Sequence, residues 1–415
     1  MAALKYWVWF TTLSGVGEDT KLRLLQKFSS PEDIYYADAG ELALVEGISK
    51  EALEALELRS LDTAERILEQ CGRKEIFLVS YADALYPQRL KNVYHPPLLL
   101  YGRGKMPLFD EEVAVAVVGT RECTPYGINC ARELGYELTQ QGGIIISGMA
   151  RGIDAAAMEG ALRFGGFTCG VLGGGVDVVY PRENRRLYED VAATGVLLSE
   201  YPPGAEPMGW HFPYRNRIMS GLSVASVVIE APEKSGALIT AAAALEQGRE
   251  VFAVPGPITS DKSAGCHKLI REGAGLVTCA WDILSEYESR YPHKIRPKVK
   301  PMPPLPEQSG TPKREEGKRG GKPKKAEGES AALPTLPGEA WQGMEADQRA
   351  VLLALREDIS RLSDDVALET DLPMRRVLAA LTMLEIEGYA ATTGGRSFVR
   401  MVHIDENKEE VEDME

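Results

Sequence analysis

The chain has 415 residues, of which 44% are hydrophobic and 26% charged, and its formal net charge is −14. This length allows two or three domains with separate cores, and the absence of any run of about 18 apolar residues excludes a membrane-spanning helix. Six scattered cysteines without a C-x-x-C pair, with only five histidines, argue against a disulfide scaffold and a zinc site and favour a reducing, cytoplasmic location.

Residues 1–75 predict a helical domain. Its beginning, MAALKYWVWFTT, is apolar but interrupted by Lys5 and two threonines, so we interpret it as a first helix rather than a signal peptide. The segments 13–28 and 44–56 then repeat a glycine-containing turn before a helix. This pattern resembles paired helix-hairpin-helix units, which hold DNA phosphates through backbone amides. Because neither turn contains Lys or Arg, a packing domain that binds nothing is an equally good interpretation.

Residues 76–290 have the pattern of a doubly wound α/β domain. Runs rich in β-branched residues alternate with stretches of helical pattern, which is typical of parallel strands covered on both faces. We therefore predict a Rossmann-like, mostly parallel sheet with right-handed crossovers. The predicted strands are 113–119, 143–148, 167–175, 196–201, 224–232, 250–256 and 275–278.

Ligands of such a sheet bind beyond the carboxyl ends of its strands, and several of these ends carry small residues. Glycine lets the backbone approach an anion, and a helix N-terminus that follows offers free amides. The candidates of this type are Gly119, Thr120, Gly148, Gly152, Ser235 and Gly236. Any one of these loops taken alone is more often explained by tight packing of strand against helix.

Arginine recurs beside these glycines. Its fork matches phosphate oxygens, and a row of arginines suits a polyanion better than one nucleotide. The arginines, with two asparagines among them, are Arg121, Arg151, Arg182, Asn184, Arg185, Arg186, Arg215, Asn216 and Arg217. A buried guanidinium needs a partner, and for Arg215 or Arg217 this partner is either a ligand phosphate or a carboxylate such as Glu230.

Other chemistries lack their motifs here. The first predicted parallel strand is followed by G-T-R-E-C-T-P rather than G-x-G-x-x-G, and no G-x-x-x-x-G-K-[ST] is present. Asp177, Glu200 and Glu230 lie at strand ends, but nothing marks a nucleophile, a metal site or a general-base pair. We predict no catalytic residue, metal or cofactor. A nucleoside monophosphate hydrolase is the alternative, since related Rossmann cores act on nucleotides at this crevice.

The remaining residues predict a linker and a second small domain. Residues 291–340, rich in Pro, Gly and Lys, predict a flexible linker, and the acidic residues 404–415 predict a disordered tail. Residues 341–403 predict three helices and a hairpin, in the order of a winged helix. A third possible function, that of a transcription factor, would be supported by the winged helix alone. Its predicted reading helix offers Arg375 and Arg376 among many acids, so we expect weak duplex contact or a role in protein binding.

Several motifs of the middle region together resemble the DNA-processing protein A (DprA/Smf) family. In order they are VVGTR, SGMARGID, GVLGGGVDVVYPRENRRLY, LLSEYPPG, HFPYRNRIMSGLS, SGALIT and GREVFAVPGPI. The resemblance covers roughly residues 76–290. It implies a bacterial protein that is not an enzyme, binds single-stranded DNA, helps to load RecA recombinase onto it during recombination and natural transformation, and forms a homodimer.

The resemblance also implies roles for individual residues. The DNA contacts of the family correspond to Arg121 and to the basic loop Arg182, Arg185 and Arg186, where other members often have lysine. The family dimerises through the far end of the sheet, which corresponds to GCHKLIREGAGLV and predicts His267 and Leu276 at the interface.

The same resemblance gives the segment 211–223 an interpretation. We expect Arg215 and Arg217 to begin a helix on the crevice rim and to point at DNA phosphates, while Phe212, Ile218 and Met219 anchor this helix to the sheet. Phe212 or Tyr214 could instead stack on a base. Binding through phosphates predicts little sequence preference and a steep dependence on salt.

Overall fold

A computed structural model describes residues 3–297, 336, 341, 343–356, 361–394 and 397–403. The chain divides into two compact units, Met1–Glu307 and Gln308–Glu415. Most of the predicted linker and the whole predicted tail, 404–415, lie outside the described residues. Among the helices that are described, none has the length and apolar character needed to cross a bilayer.

Six helices form the beginning of the first unit. They are α1 (Leu4–Thr12), α2 (Glu18–Lys27), α3 (Pro31–Tyr36), α4 (Ala39–Ala43), α5 (Lys50–Glu57) and α6 (Asp62–Arg73). The predicted first helix is α1, and its residues 6–10 are all buried. Gly15 and Gly47, in the repeated turns before α2 and α5, have φ angles of 87° and 68°, a backbone conformation that favours glycine.

The centre of the first unit is a sheet of nine strands among the described residues. In chain order they are β1 (Phe77–Ser80), β2 (Leu99–Gly104), β3 (Val113–Val118), β4 (Gly143–Ser147), β5 (Thr168–Leu172), β6 (Val196–Ser199), β7 (Ala225–Val228), β8 (Glu250–Ala253) and β9 (Gly275–Leu276). Their order in space is β1-β2-β6-β5-β4-β3-β7-β8-β9. In this spatial order, the seven strands that run from β6 through β3 to β9 are parallel to one another. They correspond to the seven predicted strands. The antiparallel edge formed by β1 and β2 was not predicted.

Helices cover both faces of this sheet. After β1 they are α7 (Gln88–Lys91), α8 (Pro125–Gln140), α9 (Ile153–Phe164), α10 (Arg185–Thr194), α11 (His211–Leu222), α12 (Gly236–Glu246), α13 (Ala264–Arg271) and α14 (Trp281–Leu284). One core lies beneath α8, α9 and α10 and continues into the helical domain, and the other lies beneath α7, α11, α12 and α13. All six residues of β3 are buried between the two layers, which explains its uninterrupted apolar sequence.

The second unit contains three helices and a small sheet among its described residues. They are α15 (Ala346–Ala354), β10 (Arg361–Leu362), α16 (Ser363–Thr370), α17 (Met374–Ile386), β11 (Ala390–Gly394) and β12 (Ser397–Arg400). The strands pair antiparallel in the order β10-β12-β11. Val351, Val377, Leu381 and Leu384 form part of a separate core. The predicted helices and hairpin are therefore present, and β10 adds a third strand to the hairpin.

Candidate nucleic-acid interface

A cleft of about 570 Å³ opens at the carboxyl ends of β3 and β7. These neighbouring strands are the point at which the order of the parallel sheet reverses, and such a point is the usual ligand position in a doubly wound sheet. The Thr120 amide after β3 donates to the Glu230 carbonyl after β7 at 2.7 Å. The two strand ends are therefore joined directly at the bottom of the cleft.

Glycines of the predicted set form tight turns around this cleft. Gly152 precedes α9 with a φ of 80°, and a Cβ atom there would lie 2.5 Å from the Thr120 carbonyl oxygen. At Gly119 a Cβ would lie 2.5 Å from the Ile153 side chain. Gly148 donates its amide to the Asp154 carboxylate at 3.1 Å. These glycines are required by close packing of the strand ends against α9, whether or not they also approach a ligand.

Two aromatic rings line the cleft beside an arginine. The Phe212 and Tyr180 ring centroids are 5.4 Å apart at an interplanar angle of 34°. The Arg121 guanidinium carbon lies 5.2 Å from the Phe212 centroid. Tyr180 is 42% exposed and was not predicted, although its position between a glycine run and the basic loop was a usable signal. Aromatic faces beside a cation can stack on nucleobases of any sequence.

Around the cleft and the basic loop, three exposed cations make no ion pair with any other residue that the structure describes. They are Arg121, Arg182 and Lys234. Arg121 and Lys234 both line the cleft, and Lys234 was missed because the sequence interpretation considered arginines alone. Arg182 lies in the short turn Arg182–Asn184 before α10. Surface cations without an ion pair can bind a polyanion without breaking a salt bridge.

The remaining arginines of the basic loop are exposed and loosely paired. Arg151 lies 3.7 Å from Glu183, Arg185 lies 3.4 Å from Glu189, and Arg186 lies 3.9 Å from Asp190. Exposed pairs of this kind contribute little to stability, so a phosphate could replace the carboxylate. Asn184 instead donates to the carbonyls of Met149 and Ala150 at 2.9 and 3.2 Å, which ties the loop to the turn before α9.

The N-terminus of α12 forms the opposite wall of the cleft. Ser235 is its N-cap and accepts a hydrogen bond from the Ala237 amide at 3.3 Å. Gly236 has open space where a Cβ would stand. The Asn216 side chain lines the cleft and donates to the Gly236 carbonyl at 3.5 Å. This wall thus combines the N-terminus of an eleven-residue helix with the exposed Lys234.

The position expected for Arg215 is wrong. Arg215 is 5% exposed and lies at the floor of the cleft, not on the rim. Its guanidinium donates to the Val171 carbonyl, and its Nε donates to Asn216 Oδ1 at 3.3 Å. Burial lowers the pKa of Arg215 to about 10, while the nearby Asp154 carboxylate opposes this shift, so the side chain stays charged at neutral pH. Burial in turn raises the pKa of Asp154, and Arg215 limits that rise.

Arg217 was also expected on the rim, and this expectation is wrong as well. Its Nη2 donates to both carboxylate oxygens of Glu200, each at 2.8 Å, and the two side chains are 11% and 16% exposed. Burial raises the pKa of Glu200, and the Arg217 charge opposes the rise. The Arg217 guanidinium also covers the Tyr214 ring at 3.9 Å, so this face of Tyr214 is not free to stack on a base.

Two further acidic residues at strand ends have structural partners. Glu230 is not the partner of either arginine, because its carboxylate accepts from the Thr124 amide and hydroxyl, each at 2.8 Å, at the start of α8. Asp177 pairs with Lys74 of the helical domain at 2.5 Å. Burial would raise the pKa of Asp177, but its bonds to Lys74 and to the Gly204 amide outweigh burial and hold the pKa below its usual value.

The residues predicted at the dimer interface lie away from the cleft. Leu276 is on β9, the last strand of the sheet, and is 50% exposed. His267 lies on α13, and its Nε2 is 2.9 Å from the Gly256 carbonyl. In the second unit, Arg376 of α17 forms a bidentate pair with Asp347 at 2.5 and 2.6 Å, and Arg375 is exposed.

The chain matches three family models. These are DNA recombination-mediator protein A at residues 77–288, a SAM-like helix-hairpin-helix tandem at 10–57, and a DprA winged helix domain at 329–396. It is 34% identical to Protein Smf of Synechocystis sp., across 95% of this chain and 98% of that protein. It is 43% identical to DNA processing protein DprA of Bacillus subtilis, across 54% of this chain and 76% of that protein.

A solved structure agrees with these sequence matches. The X-ray structure of DNA processing protein A from Streptococcus pneumoniae superposes with a TM-score of 0.61 and 36% identity, covering 68% of this chain and 97% of that one. With the family models, this match confirms the predicted fold class: a helix-hairpin-helix domain, a Rossmann-like and mostly parallel sheet, and a winged helix.

Proposed function

This chain belongs to the DNA recombination-mediator protein A (DprA/Smf) family, as its motifs predicted, and from that membership we propose that it binds single-stranded DNA in the cleft between β3 and β7. The observation that carries the proposal is the pair of rings Phe212 and Tyr180 beside Arg121. A double helix hides its base faces within the stack, whereas an unpaired strand can offer a base to these rings and its phosphates to the cations.

The proposed contacts fall into two kinds. Arg121, Arg182 and Lys234 hold phosphates, assisted by the positive end of the α12 helix dipole. Phe212 and Tyr180 hold a base. Arg215 and Asn216 support this surface from beneath, because both lie at the floor of the cleft with little exposure. Gly119, Thr120, Gly148 and Gly152 set the shape of the floor.

A binding titration tests this proposal. We expect the full chain to bind a dT oligonucleotide more tightly than duplex DNA or dTMP, and its affinity to fall steeply as salt is raised. Phe212→Ala should weaken oligonucleotide binding by roughly 5- to 150-fold, the equivalent of about 1–3 kcal/mol for one stacked base. The proposal fails if the wild-type protein has no preference for the unpaired strand at low salt.

The alternative, a nucleoside monophosphate hydrolase, has one feature in its favour. Asp154 lies at the floor of the cleft near Arg215, so a carboxylate and a guanidinium do meet there. However, Asp154 is 6% exposed and already accepts from the Gly148 amide, which suits an anchor better than a general base. We infer a binding protein rather than an enzyme, and release of free base or phosphate from nucleotides incubated with the protein would reverse this inference.

We propose further that the protein delivers RecA recombinase to the bound strand. Support comes from the family, whose description is that of a recombination mediator. The test is the ATPase activity of RecA on DNA covered with single-strand-binding protein. The full chain should shorten the lag before ATP hydrolysis, and a variant that does not bind DNA should not. A role in natural transformation is a proposal at the same level, tested by transformation of a host that lacks the protein.

We propose a homodimer formed through the β9 edge because an apolar side chain is exposed there. Leu276 is 50% exposed on this edge strand. Leu276→Glu should convert a dimer to a monomer in analytical ultracentrifugation, whereas Leu245→Glu, at a 59% exposed leucine of α12, should not. A wild-type protein that sediments as a monomer would contradict the proposal.

We infer a cytoplasmic location as well. None of the six cysteines, all of which lie in described residues, forms a disulfide, and this is usual in a reducing compartment. Fractionation of cells that express the protein at its natural level tests the inference.

A further inference from the structure

A second aromatic surface lies beside the cleft, on the loop 200–210 that leads into α11. Within this loop Trp210 is 64% exposed and Met208 is 50% exposed. Between them, Gly209 lines the cleft together with Phe212. Scattered exposed apolar residues need no special explanation, but this tryptophan and methionine flank a glycine that lines the cleft.

The Trp210 ring is held by other rings beneath it. It packs edge-on against His211, with centroids 4.1 Å apart and an interplanar angle of 80°. His211 in turn stacks on Tyr201 at 3.9 Å, and its Nδ1 lies 2.8 Å from the Gly173 carbonyl. Because His211 is buried, this stack fixes the indole from the protein side while most of its surface stays open to solvent.

The backbone of the loop is fixed as well. The His211 amide donates to the Met208 carbonyl at 2.9 Å, and the Gly175 amide donates to the Ala205 carbonyl at 2.9 Å. Three prolines further restrict it, at positions 202, 203 and 207. A side chain presented in this way loses little conformational freedom when a ligand binds, so stacking on it adds directly to affinity.

We propose that Trp210 is a second base-stacking site for single-stranded DNA, one step along the strand from the Phe212–Tyr180 rings. The inference rests on the proposed function, because it extends the track that begins in the cleft. A nucleobase is a better ligand than a protein side chain, because Trp210 directly follows Gly209, which lines the cleft proposed to hold the first base. Stacking on an aromatic face is independent of base identity, so the site adds affinity without sequence preference.

The intrinsic fluorescence of Trp210 gives a direct test. The chain has five tryptophans, of which Trp7 and Trp9 are buried. Titration of the full chain with a dT oligonucleotide of about 20 nucleotides should quench part of the emission, because a stacked base quenches an indole. Titration with dTMP should not, since one nucleotide fills the cleft without reaching Trp210. In Trp210→Phe the quenching should be lost while oligonucleotide affinity stays within about threefold, because phenylalanine can still stack.

Truncation separates stacking from charge. Trp210→Ala should weaken binding of the same oligonucleotide by roughly 5- to 150-fold, leave dTMP binding unchanged, and leave the salt slope unchanged because no charge is removed. Trp281→Phe, which changes a tryptophan packed on the core, should keep both the affinity and the quenching.

The outcomes separate the inference from the function on which it rests. Wild-type protein that binds no oligonucleotide at all would contradict the proposed function. Wild-type protein that binds, as measured by the anisotropy of a labelled strand, but whose Trp210 emission is unchanged and whose Trp210→Ala variant keeps full affinity, would contradict only the stacking site. If Trp210→Ala keeps full affinity for the oligonucleotide but fails to deliver RecA, Trp210 contacts a protein rather than a base, and the stacking site is also contradicted.

Discussion

Two sets of arginines in the same domain have opposite surroundings. Arg121 and Arg182 are exposed and form no ion pair with another described residue. On α11, Arg215 is buried beneath the cleft against the Val171 carbonyl, and Arg217, whose side chain is 11% exposed, is paired with Glu200. The comparison teaches that a basic motif does not by itself identify a contact with DNA. An arginine enclosed among protein partners stabilises the fold, and one that is exposed without an ion pair can recognise a ligand.

The largest expected effect comes from the buried pair. Arg217→Ala leaves the Glu200 carboxylate without its partner, and we expect the free energy of unfolding to fall by about 3–5 kcal/mol. Urea denaturation of the full chain, followed through the transition of the sheet domain, measures this change. Folded Arg217→Ala protein should bind the dT oligonucleotide with an affinity close to that of the wild type.

A matched double variant sharpens this prediction. Arg217→Met with Glu200→Leu removes both charges and fills the space with apolar atoms, so it should recover most of the stability that either single change loses. If the double variant is as unstable as Arg217→Ala, the pair is not the cause. If Arg217→Ala folds normally and loses DNA binding, the assignment of Arg217 to structure is wrong.

The next effect is in binding and leaves stability untouched. Arg121→Ala should weaken oligonucleotide binding by roughly 10- to 100-fold, the usual value of a charged hydrogen bond, and should reduce the salt slope by about 0.7 for one lost phosphate contact. The melting temperature should not change, because Arg121 is exposed. Arg103→Ala is the matched control, since Arg103 is exposed on β2 near the amino ends of the parallel strands, at the opposite end of the sheet. Equal losses in both variants would contradict a specific site.

The pH dependence of stability distinguishes the buried Asp154 from the partly buried Asp177. Burial raises the pKa of Asp154 above its unfolded value, so the stability linked to this group is full at low pH and is lost as pH rises through the folded pKa. The pKa of Asp177 is lowered, because its bonds to Lys74 and Gly204 outweigh burial. The stability it contributes is therefore present above the unfolded pKa and is lost as pH falls.

Asparagine variants turn this difference into a measurement. Asp177→Asn should lose more stability, relative to wild type, at pH 7 than at pH 3. Asp154→Asn should show the opposite trend, with its relative stability improving as pH rises from about 4. Melting temperatures across this range give both trends, and parallel trends for the two variants would contradict the assigned surroundings.

Much of the fold could be predicted from the sequence, because the parallel strands are buried on both faces and so appear as continuous apolar runs. The strands β1 and β2 were missed although they are as long as the predicted strands, because the prediction followed apolar runs alternating with helical stretches and these two strands pair antiparallel. The position of the cleft at the carboxyl ends of the strands followed from a general rule, but its place between β3 and β7 needs the strand order, which only the structure gives.

The individual contacts could be predicted less well. Two residues on a helix that are two positions apart lie about 200° apart around its axis, so Arg215 and Arg217 cannot face the same surface. The stripe that does line the cleft is Phe212, Arg215, Asn216 and Met219, at helical spacing, and this spacing was a usable signal. Which acid pairs with Arg217 could not be predicted, because Glu200 comes from a different strand end and meets the helix only through the fold.

The smallest expected effect on binding concerns arginines that are intermediate between the two sets, because they are exposed but have a carboxylate nearby. Arg185 and Arg186 lie one helical turn from Glu189 and Asp190, at 3.4 and 3.9 Å, and their side chains are 78% and 95% exposed. Because solvent and salt screen such pairs, Arg185→Ala or Arg186→Ala should leave the melting temperature unchanged and weaken oligonucleotide binding by less than about threefold each. Glu189→Gln frees Arg185 without removing it and should strengthen binding slightly at low salt. If either alanine variant matches Arg121→Ala in its loss of affinity, the DNA track extends along α10, and the absence of a nearby carboxylate is not what selects the arginines that bind.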